Sequence, residues 1–217
     1  MNELKVGLIN HQISPNNDEW VWKNNEDKSF TVKGVRESLA QQINLNTVAS
    51  DFVWNRWATN KSIMFVWRVV KNRIPTANAL KRRGMILNDY NCKICGASEE
   101  TADHVLIQCS FAEQIWSEVF AWLKIQVAYR NVTIQQLMQE INEIQRSRNV
   151  TKAIHTVVIQ TSWKLWRVRN AKIFENKASA IQTTVEQIKE ESFYCISKRS
   201  KFKEISRQEW WEFKCRM

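Results

Sequence analysis

The sequence predicts a mostly helical chain, and three observations carry that prediction. Only four glycines and two prolines interrupt 217 residues, which leaves few places for long loops or breaks. From about position 51 onward, apolar residues recur at the three- and four-residue spacing of amphipathic helices. Eleven tryptophans in a chain that is 44% hydrophobic supply enough bulk for a buried core. The expected architecture is mostly α: an N-terminal β-hairpin, a helical domain stapled by cysteines and a histidine, and a helical-hairpin tail. The expected divisions are a lead-in at 1–17, the hairpin and stapled domain at 18–148, and the tail at 149–217.

Taken in order, EWVWK and KSFTV alternate apolar and polar residues around the turn-rich NNED, the pattern of two short strands. Gly34 opens VRESLAQQI, a short helix with Val35, Leu39 and Ile43 on one face. From Asp51 the pattern is helical and aromatic. Trp54, Trp57, Met64, Phe65, Trp67 and Val70 are expected to form a core stripe, with Ser62 as N-cap. Pro75 ends that helix because its ring and missing amide hydrogen forbid continuation. Thr76 caps the next helix, ANALKRR, and Gly84 stops it.

Cys92 and Cys95 then form a C-x2-C pair, with His104 and Cys109 farther along. Three thiolates and one imidazole suit a closed tetrahedral zinc site, since zinc takes soft sulfur and borderline nitrogen. Gly96 suits the tight turn after the second thiol because it adopts positive φ without steric cost. Structural Zn2+ is therefore the expected cofactor, with small buried thiols and a core histidine as the bland alternative. Five cysteines are an odd number, and Cys195 and Cys215 stand too far along to join the cluster. A disulfide framework is disfavoured, and a reducing intracellular compartment, nucleus or cytoplasm, is expected. No secretory signal is read at the start of this sequence, and no run approaches the roughly 18 to 20 apolar residues of a membrane span.

After the cysteines, Ser110 and Glu113 match a capping box for FAEQIWSEVFAWLKI, which offers Ile115, Trp116, Val119, Phe120 and Leu123 for burial. Thr133 caps TIQQLMQEINEIQ, with Ile134, Leu137, Ile141 and Ile144 on its buried side. RSRNV reads as a loop at the boundary of the tail. A long helix from Thr151 and another over roughly 179–198 then pair antiparallel through ENKAS. Trp210 and Trp211 are expected to fold back onto the body, because paired exposed tryptophans make a sticky patch.

The formal charge of +10 points to anionic partners. Between Lys61 and Lys93 only Asp89 is acidic, whereas Arg68, Lys71, Arg73, Lys81, Arg82, Arg83 and Lys93 are basic, a one-sided block that suits phosphate. Lys164, Arg167, Arg169 and Lys172 add basic charge in the tail, where an ordinary solvated helix face is an equal reading.

The run W-x-W, SFTVKGVRESL, VWNRW, FVWRVVKNRIPTANALKRRG, CKIC and HVLIQCSFAEQIW resembles the reverse transcriptase zinc-binding domain found downstream of the polymerase in plant LINE-type (non-LTR) retrotransposons. LWRVRNAKIFENK is similar to the helical tail of the same proteins. The resemblance implies Cys92, Cys95, His104 and Cys109 as zinc ligands, and contact with template RNA or target DNA through the basic residues beside the zinc loop. A polymerase needs paired carboxylates to hold two metals, and no Asp-Asp pair stands here in an apolar strand context. The expectation is a non-enzymatic module whose partner is RNA or DNA. The alternative is a protein-interaction or inhibitory scaffold with a structural zinc and a protein partner. Neither a membrane nor a small-molecule substrate is expected.

Overall fold

Helix α1, Val32–Gln42, starts where Thr31 Oγ1 accepts the Gly34 amide at 3.0 Å. The computed structural model describes residues 30–42, 52–201 and 205–214. The chain divides into two units, Met1–Phe52 and Val53–Met217. Of the first unit, α1 is the only described helix. Most of the expected β-hairpin lies outside the described residues, and its last residue, Val32, opens α1 instead of ending a strand. No strand occurs among the described residues. The expected apolar face of α1 is not sealed either: Leu39 is exposed, and Ile43 lies outside the described residues.

The second unit is built on a 28-residue helix. Its elements are α2, Asn60–Val70; α3, Ala77–Lys81; a π-helical turn, His104–Gln108; α4, Ser110–Leu123; α5, Ile134–Glu143; α6, Arg148–Glu175; α7, Ile181–Arg199; and α8, Arg207–Trp211. Helix α6 packs against α2, α5, α7, α4 and the π turn, so it is buried on several sides. Asn176, at φ 50, ends it in the left-handed conformation, and α7 returns against it. The helical-hairpin tail is therefore present, and it forms the spine of the unit.

Caps explain most helix starts. Thr59 Oγ1, rather than the expected Ser62, accepts at the start of α2, and the Ser62 hydroxyl turns back to the Thr59 carbonyl at 2.9 Å. Thr76 caps α3, Thr133 and Gln136 form a reciprocal capping box on α5, and Ser206 and Glu209 do so on α8. Ser110 and Glu113 do not: the N-cap of α4 is Cys109, and Ser110 is already helical. Helix α2 ends at Val70, five residues before Pro75, because Asn72 takes φ 52. Gly84, at φ 80, closes the turn after α3 as expected.

The buried face of α2 is Ser62, Ile63, Phe65, Val66 and Val69. Of the expected stripe, Trp57 and Phe65 are buried, while Trp54 and Met64 are exposed and Trp67 and Val70 lie at the margin. The reason is polar. Gln160 of α6 donates to Ser62 Oγ at 3.2 Å, which selects the Ser62 side of a helix that is apolar in more than one register. Phe65 then meets Trp163 and Trp166 at ring distances of 5.2 and 5.6 Å. At the other end Trp210 is fully buried, its indole donating to the Lys189 carbonyl at 2.9 Å and its ring meeting Trp122 edge-on at 5.2 Å. The faces expected of α4 and α5 are buried, with Ile144 at the C-terminal margin of α5.

His155 of α6 is a buried histidine whose Nδ1 has no hydrogen-bond partner among the described residues, and burial pushes its pKa from 6.5 down to about 4. The unfolded chain binds the imidazole proton first, so this group stabilises the fold above pH 6.5, and the contribution fades as pH falls toward 4. The cost over that window is on the order of 3 kcal/mol. His155→Gln should flatten the pH dependence of urea unfolding between those limits, measured with zinc in excess, so that the ligands weigh equally on both proteins. An unchanged slope would place the titration elsewhere.

Candidate metal centre

The zinc-ligand candidates sit on two local devices. The first is a short loop closed by an antiparallel bridge between Asn91 and Glu99, with the Cys92 amide donating to the Ser98 carbonyl at 2.8 Å. Inside it, Gly96 takes φ 70 and its amide donates to the Cys92 carbonyl at 2.7 Å, so the chain turns directly after Cys95. The amides of Cys95 and Ile94 face the Cys92 sulfur. The second device is the π turn His104–Gln108, in which the Cys109 amide donates to the His104 carbonyl at 2.7 Å. An i to i+5 bond widens the turn by one residue, which stacks Cys109 over His104 where an α-helix would splay them apart.

That widening leaves a buried carbonyl to be satisfied, and the indole of Trp116 donates to Leu106 O at 2.7 Å. Val105, Leu106 and Ile107 are fully buried, so the π turn is part of the core as well as part of the site. Asp103 Oδ1 accepts the Ile134 amide at 3.0 Å and ties the same turn to the start of α5.

The four ligand atoms, from Cys92, Cys95, His104 and Cys109, lie within 4.8 Å of one another. Cys92 Sγ and Cys109 Sγ are 4.0 Å apart, and Cys95 Sγ is 3.3 Å from His104 Nε2. Tetrahedral zinc, with bonds of about 2.3 Å to sulfur and 2.0–2.1 Å to nitrogen, requires separations of roughly 3.8 and 3.6 Å. The set fits the ion. Cys92, Cys109 and His104 are buried and Cys95 is half-buried. A hydrogen bond from Cys109, helped by the neighbouring amides, lowers Cys92 to about 5, while the hydrogen bond to Cys92 and then burial raise Cys109. Zinc takes cysteine as thiolate, so binding the ion releases the thiol protons. Four protein ligands leave no open coordination position, which makes the site structural in kind. Cys195 is a free thiol elsewhere, hydrogen-bonded by Gln160 at 3.2 Å.

Sequence alone missed what holds this loop against the helices. Glu100 is 1% exposed. Its carboxylate accepts the Ala77 amide at 2.9 Å and Nε of Arg169 at 3.1 Å, with Arg169 Nη2 on the other oxygen. The Glu100 carbonyl accepts the Asn78 amide at 3.1 Å. Two of the four tail cations, read equally as added basic charge or as a solvated helix face, are therefore buried and paired: Arg169 with Glu100, and Lys164 with Glu191 at 3.5 Å.

The seven basic residues expected to face phosphate are all exposed. Arg68 lies in the last turn of α2, Lys71 and Arg73 flank the turn after it, and Lys81, Arg82 and Arg83 end α3. Arg82 Nη2 is 3.5 Å from Asn72 Oδ1, which brings the end of α3 beside the turn that carries Lys71 and Arg73. Lys81 is paired with Glu99 at 3.1 Å, and Lys93 with Asp89 at 2.6 Å. Arg68, Lys71, Arg73 and Arg83 pair with no carboxylate among the described residues.

No helix among the described residues is long and apolar enough to cross a membrane. The chain matches no curated protein and no solved structure. One family model does match: residues 30–116, which contain all four ligands, correspond to the family described as zinc-binding in reverse transcriptase. Over that segment the chain is therefore similar to a zinc-binding domain of reverse transcriptases, and Cys92, Cys95, His104 and Cys109 are placed to hold the ion.

Proposed function

We propose that this protein is a non-catalytic module, derived from a LINE-type reverse transcriptase, that binds RNA or DNA through the basic surface beside its zinc site. The observation that supports it best is the group of exposed cations without described carboxylate partners, Arg68, Lys71, Arg73 and Arg83, gathered at the ends of α2 and α3. A solvated helix face normally mixes signs, and these four cations have no carboxylate partner among the described residues. Zinc would act by holding the loop on which Glu100 and α3 depend, with no part in any bond made or broken.

The test is fluorescence anisotropy with RNA and DNA oligonucleotides over a salt series. Binding should weaken linearly in log Kd against log salt, by about 0.7 to 0.9 per phosphate contact. Changing Lys81, Arg82 and Arg83 together to alanine should reduce that slope by about 2 and weaken binding to any sequence alike. Absent or salt-independent binding at low ionic strength would reject the reading.

A further inference from the structure

A groove of about 850 Å³ runs between α2, the segment entering the metal loop, and the last turns of α6. It shares Arg68 and Lys93 with the exposed basic surface and adds aromatic and amide groups. Trp163, half-buried, and Phe174, 77% exposed, contribute aromatic rings from α6. Lys61 and Arg68 stand on the α2 side, with Lys61 Nζ 5.4 Å from the Trp163 ring centre. Asn88 and Asn91 contribute side-chain amides from the metal-loop side. Asp89 and Lys93 also line the groove and neutralise each other, and the Glu100–Arg169 pair is buried within the lining, so Lys61 and Arg68 carry the net charge.

An exposed phenylalanine at a helix end gains nothing from water, and aromatic rings beside cations with no described carboxylate partner have a recognisable complement. We propose that this groove receives the unpaired bases of a single-stranded nucleic acid, which stack on Phe174 and Trp163 while Lys61 and Arg68 hold the adjoining phosphates. In a duplex the base faces are hidden in the stack, and only phosphates and groove edges are offered. A single strand can lay a base on an aromatic ring, and the asparagine amides can meet its edge. This inference rests on the nucleic-acid reading above, and names single strands as the class for which that surface is built.

The experiment compares three labelled probes by anisotropy with the zinc-loaded full chain: a mixed-sequence single strand, a blunt duplex of the same length, and an abasic strand with the same phosphates. The single strand should bind about tenfold more tightly than the abasic strand, and Phe174→Ala should remove most of that advantage while leaving duplex and abasic binding unchanged. Phe174 is exposed, so its removal does not threaten the fold. Salt-dependent binding of all three probes with equal affinity, untouched by Phe174→Ala, would overturn the groove and keep the basic surface. A loss shared equally by all three probes would also overturn it, since stacking cannot act on an abasic strand. If no probe binds, both readings fall and the groove is left to an acidic, apolar polypeptide.

Discussion

Purified under reducing conditions, the protein is expected to carry one zinc ion per chain and to lose its cooperative thermal transition when the ion is removed by a chelator. Structural zinc contributes an apparent 10–16 kcal/mol or so in small peptides, which is comparable to or larger than the 5–15 kcal/mol or so that holds an ordinary domain folded. The usual escape from that arithmetic is a metal loop hanging on the edge of an independent core. Here the loop is not peripheral. His104 and Cys109 bracket Val105, Leu106 and Ile107, which are fully buried, and the π turn packs against both α4 and α6. Releasing the two ligands frees the turn to relax toward α-helical spacing, which would withdraw three core side chains and strand the Trp116 indole. Near-ultraviolet circular dichroism, with its dominant tryptophan signal, should collapse along with the melting transition.

Cys109→Ser separates metal from cap. Serine is a better N-cap than cysteine, so the start of α4 is preserved while one thiolate is lost. The variant should bind zinc more weakly and melt earlier, by about 4–8 °C if about 2 kcal/mol is lost. Metal analysis and calorimetry on the same sample check both halves. A chelated protein that keeps the zinc-loaded melting curve would show that the core stands without its staple.

The parts of this molecule that could be read from sequence are those decided by neighbours along the chain. The spacing of Cys92, Cys95, His104 and Cys109 marks a metal site because ligand chemistry and a glycine turn are local facts. Thr76 and Thr133 cap helices through bonds that span three residues, and α4 and α5 bury the faces their periodicity predicts. Where two local patterns competed, sequence reasoning chose wrongly. Ser110 and Glu113 spell a capping box, yet Cys109 takes the N-cap, since the π turn that brings it to His104 delivers the chain one residue earlier. The aromatic stripe of α2 had more than one apolar register, and Gln160, 98 residues away, decided between them. Lys164 and Arg169 read as surface because their partners, Glu191 and Glu100, are visible only once α6 is folded against α7 and the metal loop. A buried ion pair has no signature along the chain, because charged residues are ordinarily exposed.

That pair carries the second large effect. Arg169→Ala should cost about 3–5 kcal/mol, because it leaves the Glu100 carboxylate buried with only the Ala77 amide to answer it. Glu100→Ala should cost somewhat less. The guanidinium it strands still donates to Asn170 Oδ1 at 3.0 Å and lies 4.6 Å from the Trp166 ring centre. The asymmetry is a specific expectation, and urea unfolding of the zinc-loaded variants measures it. Removing both charges together, with Glu100→Gln and Arg169→Met, should recover most of the loss. Glutamine can still accept the Ala77 amide, methionine fills much of the space of the arginine stem, and no unpaired charge remains. If the double change were as costly as the sum of the single ones, the pair would be acting through shape alone and not through charge. Hydrogen exchange offers an independent readout: the Ala77 and Asn78 amides, both held by Glu100, should exchange faster in Glu100→Ala, and only the Ala77 amide loses its acceptor outright. The end of α3 that carries Lys81, Arg82 and Arg83 would then be loosened at its first turn while the zinc stays bound, so positioning by Glu100 can be separated experimentally from positioning by the metal.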